Sequence, residues 1–226
     1  MSLILCLETT TTNCSVALSQ MGKTIALKED LSEGYSHGEL LHQYIAAVLK
    51  EAGYSLKDLN AVAVSKGPGS YTGLRIGVSS AKGLCYAHEI PLIAIETLKS
   101  LASQVNLEGI QNIIPLLDAR RMEVYSAVYD SAFAEIRETR AEIIDENSFT
   151  EYLDRGKTVF IGNGVEKFKS ICKHSNALFI IDALPSAREM ASLAEHAFQD
   201  KKIEDLAYFE PYYLKDFMVT QPKKKS

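Results

Sequence analysis

Short apolar runs alternate with longer amphipathic ones along this chain, and the period of each run says what it folds into. Residues 3–7 and 15–19 read as strands, and a third strand is expected after the turn Met21-Gly22-Lys23. An antiparallel meander therefore opens the fold. Leu40, Leu41, Tyr44, Ile45, Val48 and Leu49 then recur as a double stripe at spacing four, which predicts a helix with a wide buried face. Ser36 and Glu39 stand as a capping box at its start, and Gly53 stands at its end.

"LNAVAVSKG" is apolar without alternation, the pattern of a strand covered on both faces; "GLRIGVSSAKGLCYAH" follows as a helix and "PLIAIET" as a short buried strand. The first half reads β-β-β-α-β-α-β. From Gln111 the order begins again: "NIIPLLDA", "EVYSAVYD" and "AEIRETRAEII" as strands, "NSFTEYLDR" as a short helix, "TVFIGNG" as a strand and "VEKFKSICKH" as a helix. This duplication of pattern, not of residues, predicts an α/β protein of two related lobes, residues 1–103 and 104–226. The amphipathic helix "SAREMASLAEHAFQD" and the tail after it are expected to pack back on the first lobe, with the last lysines solvated.

Composition narrows the function classes. A chain of 226 residues buries a core without disulfides or metal. Its 24 basic against 29 acidic residues, a formal charge of −5, oppose independent binding to a polyanion. Cys6, Cys14, Cys85 and Cys172 lie far apart with no C-x-x-C pair and read as reduced thiols. The sequence runs straight into a strand pattern and has no apolar run of bilayer length, so a cytoplasmic protein without a membrane segment is expected.

"SKGPGSYTGLRIG" joins strand to helix where an anion is often held. Its spelling fits neither nucleotide motif. A Walker loop needs Gly-Lys-Ser/Thr, whereas Gly73 is followed by Leu74 and Arg75, and a dinucleotide fingerprint needs a glycine where Thr72 stands. Gly73, Gly77 and Ala81 recur every four residues and leave one helix face almost bare. Such a face suits either tight packing inside the chain or a subunit interface. "FIGNG" also ends a strand before a helix, and its glycines are read as turn-makers.

The segments "LETTTTNCSVAL", "SHGELL", "GPGSYTGLRIG", "DARRMEVY" and "PYYLKD" occur in this order over almost the whole chain. Together they closely resemble the TsaB (YeaZ) family. The resemblance implies a two-lobed actin-like (ASKHA, RNase H-like) fold with duplicated β-β-β-α-β-α lobes. It also implies a subunit that does not catalyse alone. Such a subunit binds and activates a related chain, TsaD, which forms threonylcarbamoyladenosine next to the anticodon of ANN-reading tRNAs. The TsaE ATPase joins that assembly, TsaC-type enzymes supply the threonylcarbamoyl-adenylate, and tRNA is met only through the complex. By resemblance, the docking surface pairs the two helices through Leu40, Leu41, Tyr44 and Ile45 with Gly73, Arg75, Gly77 and Ala81. It takes TsaD, or a second copy of the chain when TsaD is absent.

The family's catalytic relative carries two metal-binding histidines on one helix, and ligands on one face need spacing i, i+4. Here His37 and His42 are five apart, about 140° around a helix, so neither a metal site nor a catalytic residue is expected. "LETTTTN" resembles the phosphate hairpin of ASKHA kinases. On that resemblance Glu8, Thr9, Thr10, Gly67 and Gly69 form a vestigial nucleotide site, with Glu8 in place of a common aspartate. No cofactor is expected on the isolated chain, and a nucleotide belongs to the junction of the complex. "DARRMEVY" sets Asp118, Arg120, Arg121 and Glu123 around a tight hairpin, as an ion-paired turn or as an arginine facing the partner or its nucleotide. Lys215 stands where the family commonly has arginine. An independent ASKHA-type kinase or a metallo-glycopeptidase is the competing class; the first requires ATP turnover and the second a metal or nucleophile constellation.

Overall fold

The computed structural model describes residues 2–30, 37–106 and 108–215. Ser36 of the expected capping box and the terminal lysines lie outside the described residues. Strands β1 (Leu3–Glu8), β2 (Cys14–Gln20) and β3 (Lys23–Asp30) form the expected meander, and β4 (Ala61–Gly67) and β5 (Leu92–Glu96) add in parallel on the other side of β1. The sheet order is β3-β2-β1-β4-β5. The second sheet contains β6 (Asn112–Asp118), β7 (Glu123–Asp130), β8 (Glu135–Ile143), β9 (Thr158–Gly162) and β10 (Ala177–Ile181), in the order β10-β9-β6-β7-β8. The two orders are the same when each lobe is counted from its own first strand. Duplication of pattern is thus duplication of topology.

The helices are α1 (His37–Ala52), α2 (Tyr71–His88), α3 (Thr97–Ala102), α4 (Thr150–Leu153), α5 (Val165–Lys169) and α6 (Ala187–Gln199). Strand β1 is buried along its whole length because both faces of its sheet are covered. Leu3, Leu5 and Leu7 pack with Leu41, Ile45 and Val48 of α1 and Val78, Ala81 and Cys85 of α2; Ile4 and Cys6 face Met190 and Ala194 of α6. In the second lobe Ile114 and Leu116 meet Phe149, Phe160 and Phe168, whereas Ile113 and Leu117 meet Leu98 and Leu101 of α3. Helix α3 therefore belongs to both lobes: it follows β5 directly and packs on β6 and β9.

Two elements escape the sequence pattern. Six-residue α3 is too short to show a helical period, and β10 lies at a sheet edge where Leu178 and Ile180 stay half exposed. With β10 the second lobe gains the fifth strand that the pattern β-β-β-α-β-α lacks. Helix α1 stops where Gly53 takes φ +75°, a conformation that favours glycine.

Candidate docking face and interlobe cleft

The bare stripe of α2 faces inward. A Cβ at Gly73 would lie 2.0 Å from the Thr9 carbonyl oxygen, one at Gly77 2.3 Å from Thr9 Oγ1, and one at Gly69 2.4 Å from the Thr10 carbonyl. Thr9 Oγ1 donates to the Gly73 carbonyl at 2.7 Å, and the Ser70 N–H donates to the Thr10 carbonyl at 2.6 Å. Ser70 also caps α2 by accepting from Gly73 N–H at 3.3 Å. The glycines are there because the loop after β1 comes within backbone contact of the helix. Within the chain itself the two glycines are buried against Thr9 and Ala81 is fully buried in the core. Leu41 and Ile45 are likewise spent on the core, at 0% and 4% exposure.

Three of the expected docking residues keep a surface. Leu40 and Tyr44 of α1 are half-buried and Arg75 of α2 is exposed. Ile76 and Leu84, also half-buried, extend the apolar patch along α2, and Gly83 opens it further, because a Cβ there would meet nothing within 4 Å. The helices touch across this face through Ser80 Oγ and His42 Nε2 at 3.4 Å. His42 thus lies outward, while His37 is buried with Nε2 2.7 Å from the Thr11 carbonyl; desolvation holds the pKa of His37 below its ordinary value. The two histidines point to different neighbours. Ile76 and Leu84, eight residues apart on one helix, were readable in the sequence as part of a stripe but were hidden behind the glycine repeat.

Between the lobes lies a cleft of about 410 Å³. Its walls are Thr10, Thr11, Thr12 and the loop 68–72 from the first lobe, Leu117 to Arg120, Tyr125 and Asn163 from the second, and the segment 212–215. Of the five residues of the vestigial nucleotide site, Thr10 and Gly69 line the cleft, whereas Glu8, Thr9 and Gly67 are not among its lining residues. Glu8 is fully buried. Its Oε1 accepts from Thr10 N–H and Thr10 Oγ1, both at 2.6 Å, and its Oε2 accepts from Ser65 Oγ. Desolvation pushes the Glu8 carboxyl above the ordinary glutamate range, and the hydrogen bonds only partly oppose it. The Thr9 and Thr10 carbonyl oxygens occupy the approach to Gly73 and Gly69 that a phosphate would need. Among the described residues, no group of three or more His, Cys, Asp or Glu is placed to hold a metal ion, and no helix is long and apolar enough to cross a membrane.

The second lobe repeats the device. A Cβ at Gly162 would lie 2.3 Å from the Leu116 carbonyl oxygen, and the Gly164 N–H donates to that oxygen at 2.9 Å, so "GNG" makes a turn against the end of β6. Asn163 Oδ1 accepts from Asp118 N–H at 2.9 Å, and Asp118 Oδ1 accepts from Arg120 N–H at 2.5 Å and Lys167 Nζ at 2.8 Å. These bonds hold a hairpin in which Arg120 and Arg121 take φ of 71° and 48°. Glu123 pairs with Lys215, whose ammonium lies 5.9 Å from the centre of the Tyr125 ring. Tyr71 and Tyr213 meet at 5.0 Å between ring centres, a contact that no sequence period signals.

Two lobes of one repeated topology, set around a cleft, define a protein of the two-lobed actin-like (ASKHA, RNase H-like) class. Residues 34–224 match the family model "TsaD: tRNA N6-adenosine threonylcarbamoyltransferase". The "tRNA threonylcarbamoyladenosine biosynthesis protein TsaB" of Escherichia coli K12 is 33% identical over 224 residues, 94% of each chain. The protein of the same name from Haemophilus influenzae is 30% identical, over 94% of this chain and 93% of its own. "YeaZ from Pseudomonas aeruginosa" superposes with a TM-score of 0.83 at 26% identity, covering 95% of this chain and all of that one. The chain belongs to the TsaB (YeaZ) family.

Proposed function

We propose that this chain is a non-catalytic subunit for tRNA threonylcarbamoyladenosine synthesis in the cytoplasm. In this reading it binds TsaD and activates it for threonylcarbamoyl transfer to the adenosine next to the anticodon of ANN-reading tRNAs. The observation that carries the reading is near-full-length likeness to proteins named for that biosynthesis. Two features of the structure support it. The glycine loops that would cradle a nucleotide are filled by the chain's own carbonyls, and Leu40 and Tyr44 of α1 and Ile76 and Leu84 of α2 are left partly exposed. TsaD docks on that face, a second copy of the chain takes the same face when TsaD is absent, and TsaE and tRNA join through the complex.

The test is size-exclusion chromatography with light scattering on the chain alone and with TsaD from the same organism, followed by tRNA modification with and without the chain. A heterodimer that replaces a homodimer and is needed for modification is the expected result. Introducing a carboxylate at Leu40 or Tyr44 should weaken TsaD binding by about 10- to 100-fold, since each buries apolar area worth about 1–3 kcal/mol in a docked state. The melting temperature should stay near that of the wild type. No complex, together with ATP turnover by the chain alone, would instead favour the independent kinase.

A further inference from the structure

We infer that residues 212–215 form a salt-sensitive latch across the mouth of the interlobe cleft, closed by Lys215 on Glu123 and Tyr125. On the first lobe the strap leading to it is tied at several points. Glu204 N–H donates to the Leu92 carbonyl at 2.9 Å, and Lys82 Nζ donates to the carbonyls of Ala207 and Phe209 at 3.3 and 3.0 Å. Tyr212 N–H donates to the Lys66 carbonyl at 2.7 Å, and the Tyr213 ring packs at a tilt against Tyr71. Gly67, at φ +114°, lets the strap lie this close, since a Cβ there would stand 2.8 Å from the Tyr212 carbonyl oxygen.

On the second lobe the attachment is of another kind. Among the described residues, the strap's hydrogen bonds and ion pairs to that lobe come from Lys215 alone, to Glu123. The side chains of Lys215 and Glu123 are 37% and 24% exposed, so salt screens the pair. The lobes are held together separately by α3, whose Leu98 and Leu101 are fully buried in the cluster with Ile113, Leu117 and Val159. Breaking one ion pair therefore frees the mouth and leaves the α3 contact intact. Because residues 212–215 are themselves a wall of the cleft, the same event opens it to solvent along Tyr125 and Leu117. The latch thus governs access to the cleft.

Hydrogen exchange read by mass spectrometry on the full chain tests this. Lys215→Ala and Glu123→Gln should each raise exchange in peptides covering 212–215 and the hairpin 117–125 by about two- to fivefold, the range of an exposed ion pair. Exchange in β1, β4 and α3 should not change, and 1 M salt should do to the wild type what Lys215→Ala does. Lys215→Arg and the charge swap Glu123→Lys with Lys215→Glu should restore protection. A hairpin that exchanges alike in wild type and Lys215→Ala, or a charge swap that restores nothing, would overturn the latch.

Discussion

Glu8 ends β1 inside the protein, turned to Thr10 and Ser65 rather than to the cleft. Its proton is therefore held more tightly in the folded chain than in the unfolded one. With a folded pKa above the unfolded value, its contribution to stability is complete below the ordinary glutamate range and is lost as pH rises through the raised value. Thermal melts from about pH 4 to pH 8 should show the wild type losing melting temperature on this account, and Glu8→Gln should flatten the fall. An equally steep fall in the variant would place the titration elsewhere. The Tyr129 hydroxyl is a second residue-scale case, fully buried and without a hydrogen-bond partner among the described residues. Tyr129→Phe should cost less than about 1 kcal/mol in denaturant unfolding, because no hydrogen bond is lost. Neither residue was readable as such. The sequence offers a carboxylate at a strand end, which suits a metal as well as a buried acid, and the choice depends on which way the side chain turns.

At the scale of the element, α2 carries the most information. Spacing of four for Gly73, Gly77 and Ala81 is legible, and so is the helix; the direction of the bare face is not, because the loop after β1 that fills it lies more than 60 residues away in the chain. Gly77→Leu therefore does not test docking: it drives a side chain into Thr9 and disturbs the fold. Gly73→Ala should cost about 1–3 kcal/mol or more, since the clash is with backbone. Gly83→Ala on the same helix should gain about 0.5–1 kcal/mol, since its Cβ meets nothing and the helix loses a flexible residue. Urea titration of the two variants checks both signs. If both destabilise alike, the glycines of α2 share one role and the packing argument fails.

For the whole molecule, burial divides the expected docking residues: Leu40, Tyr44 and Arg75 keep exposed surface, and Leu41 and Ile45 hold the helix to its sheet. The wild-type chain mixed with TsaD should accordingly lose protease cleavage and chemical labelling on the outer face of α1 and α2 while the β8 edge stays reactive. Protection confined to β8 would move the interface.

The amino-acid order was enough for the strand meander, α1, α2, α6, the repeated β-β-β-α-β-α pattern and the family, because period, turn residues and motifs are local properties of neighbouring positions. It did not carry α3 and β10, which are too short or too near an edge to show a period, nor the orientation of the glycine face, the burial of Glu8 or the strap over the cleft. Those depend on contacts between segments far apart in the chain, where the space left by one backbone is taken by another, and no pattern within a single segment records its distant neighbour.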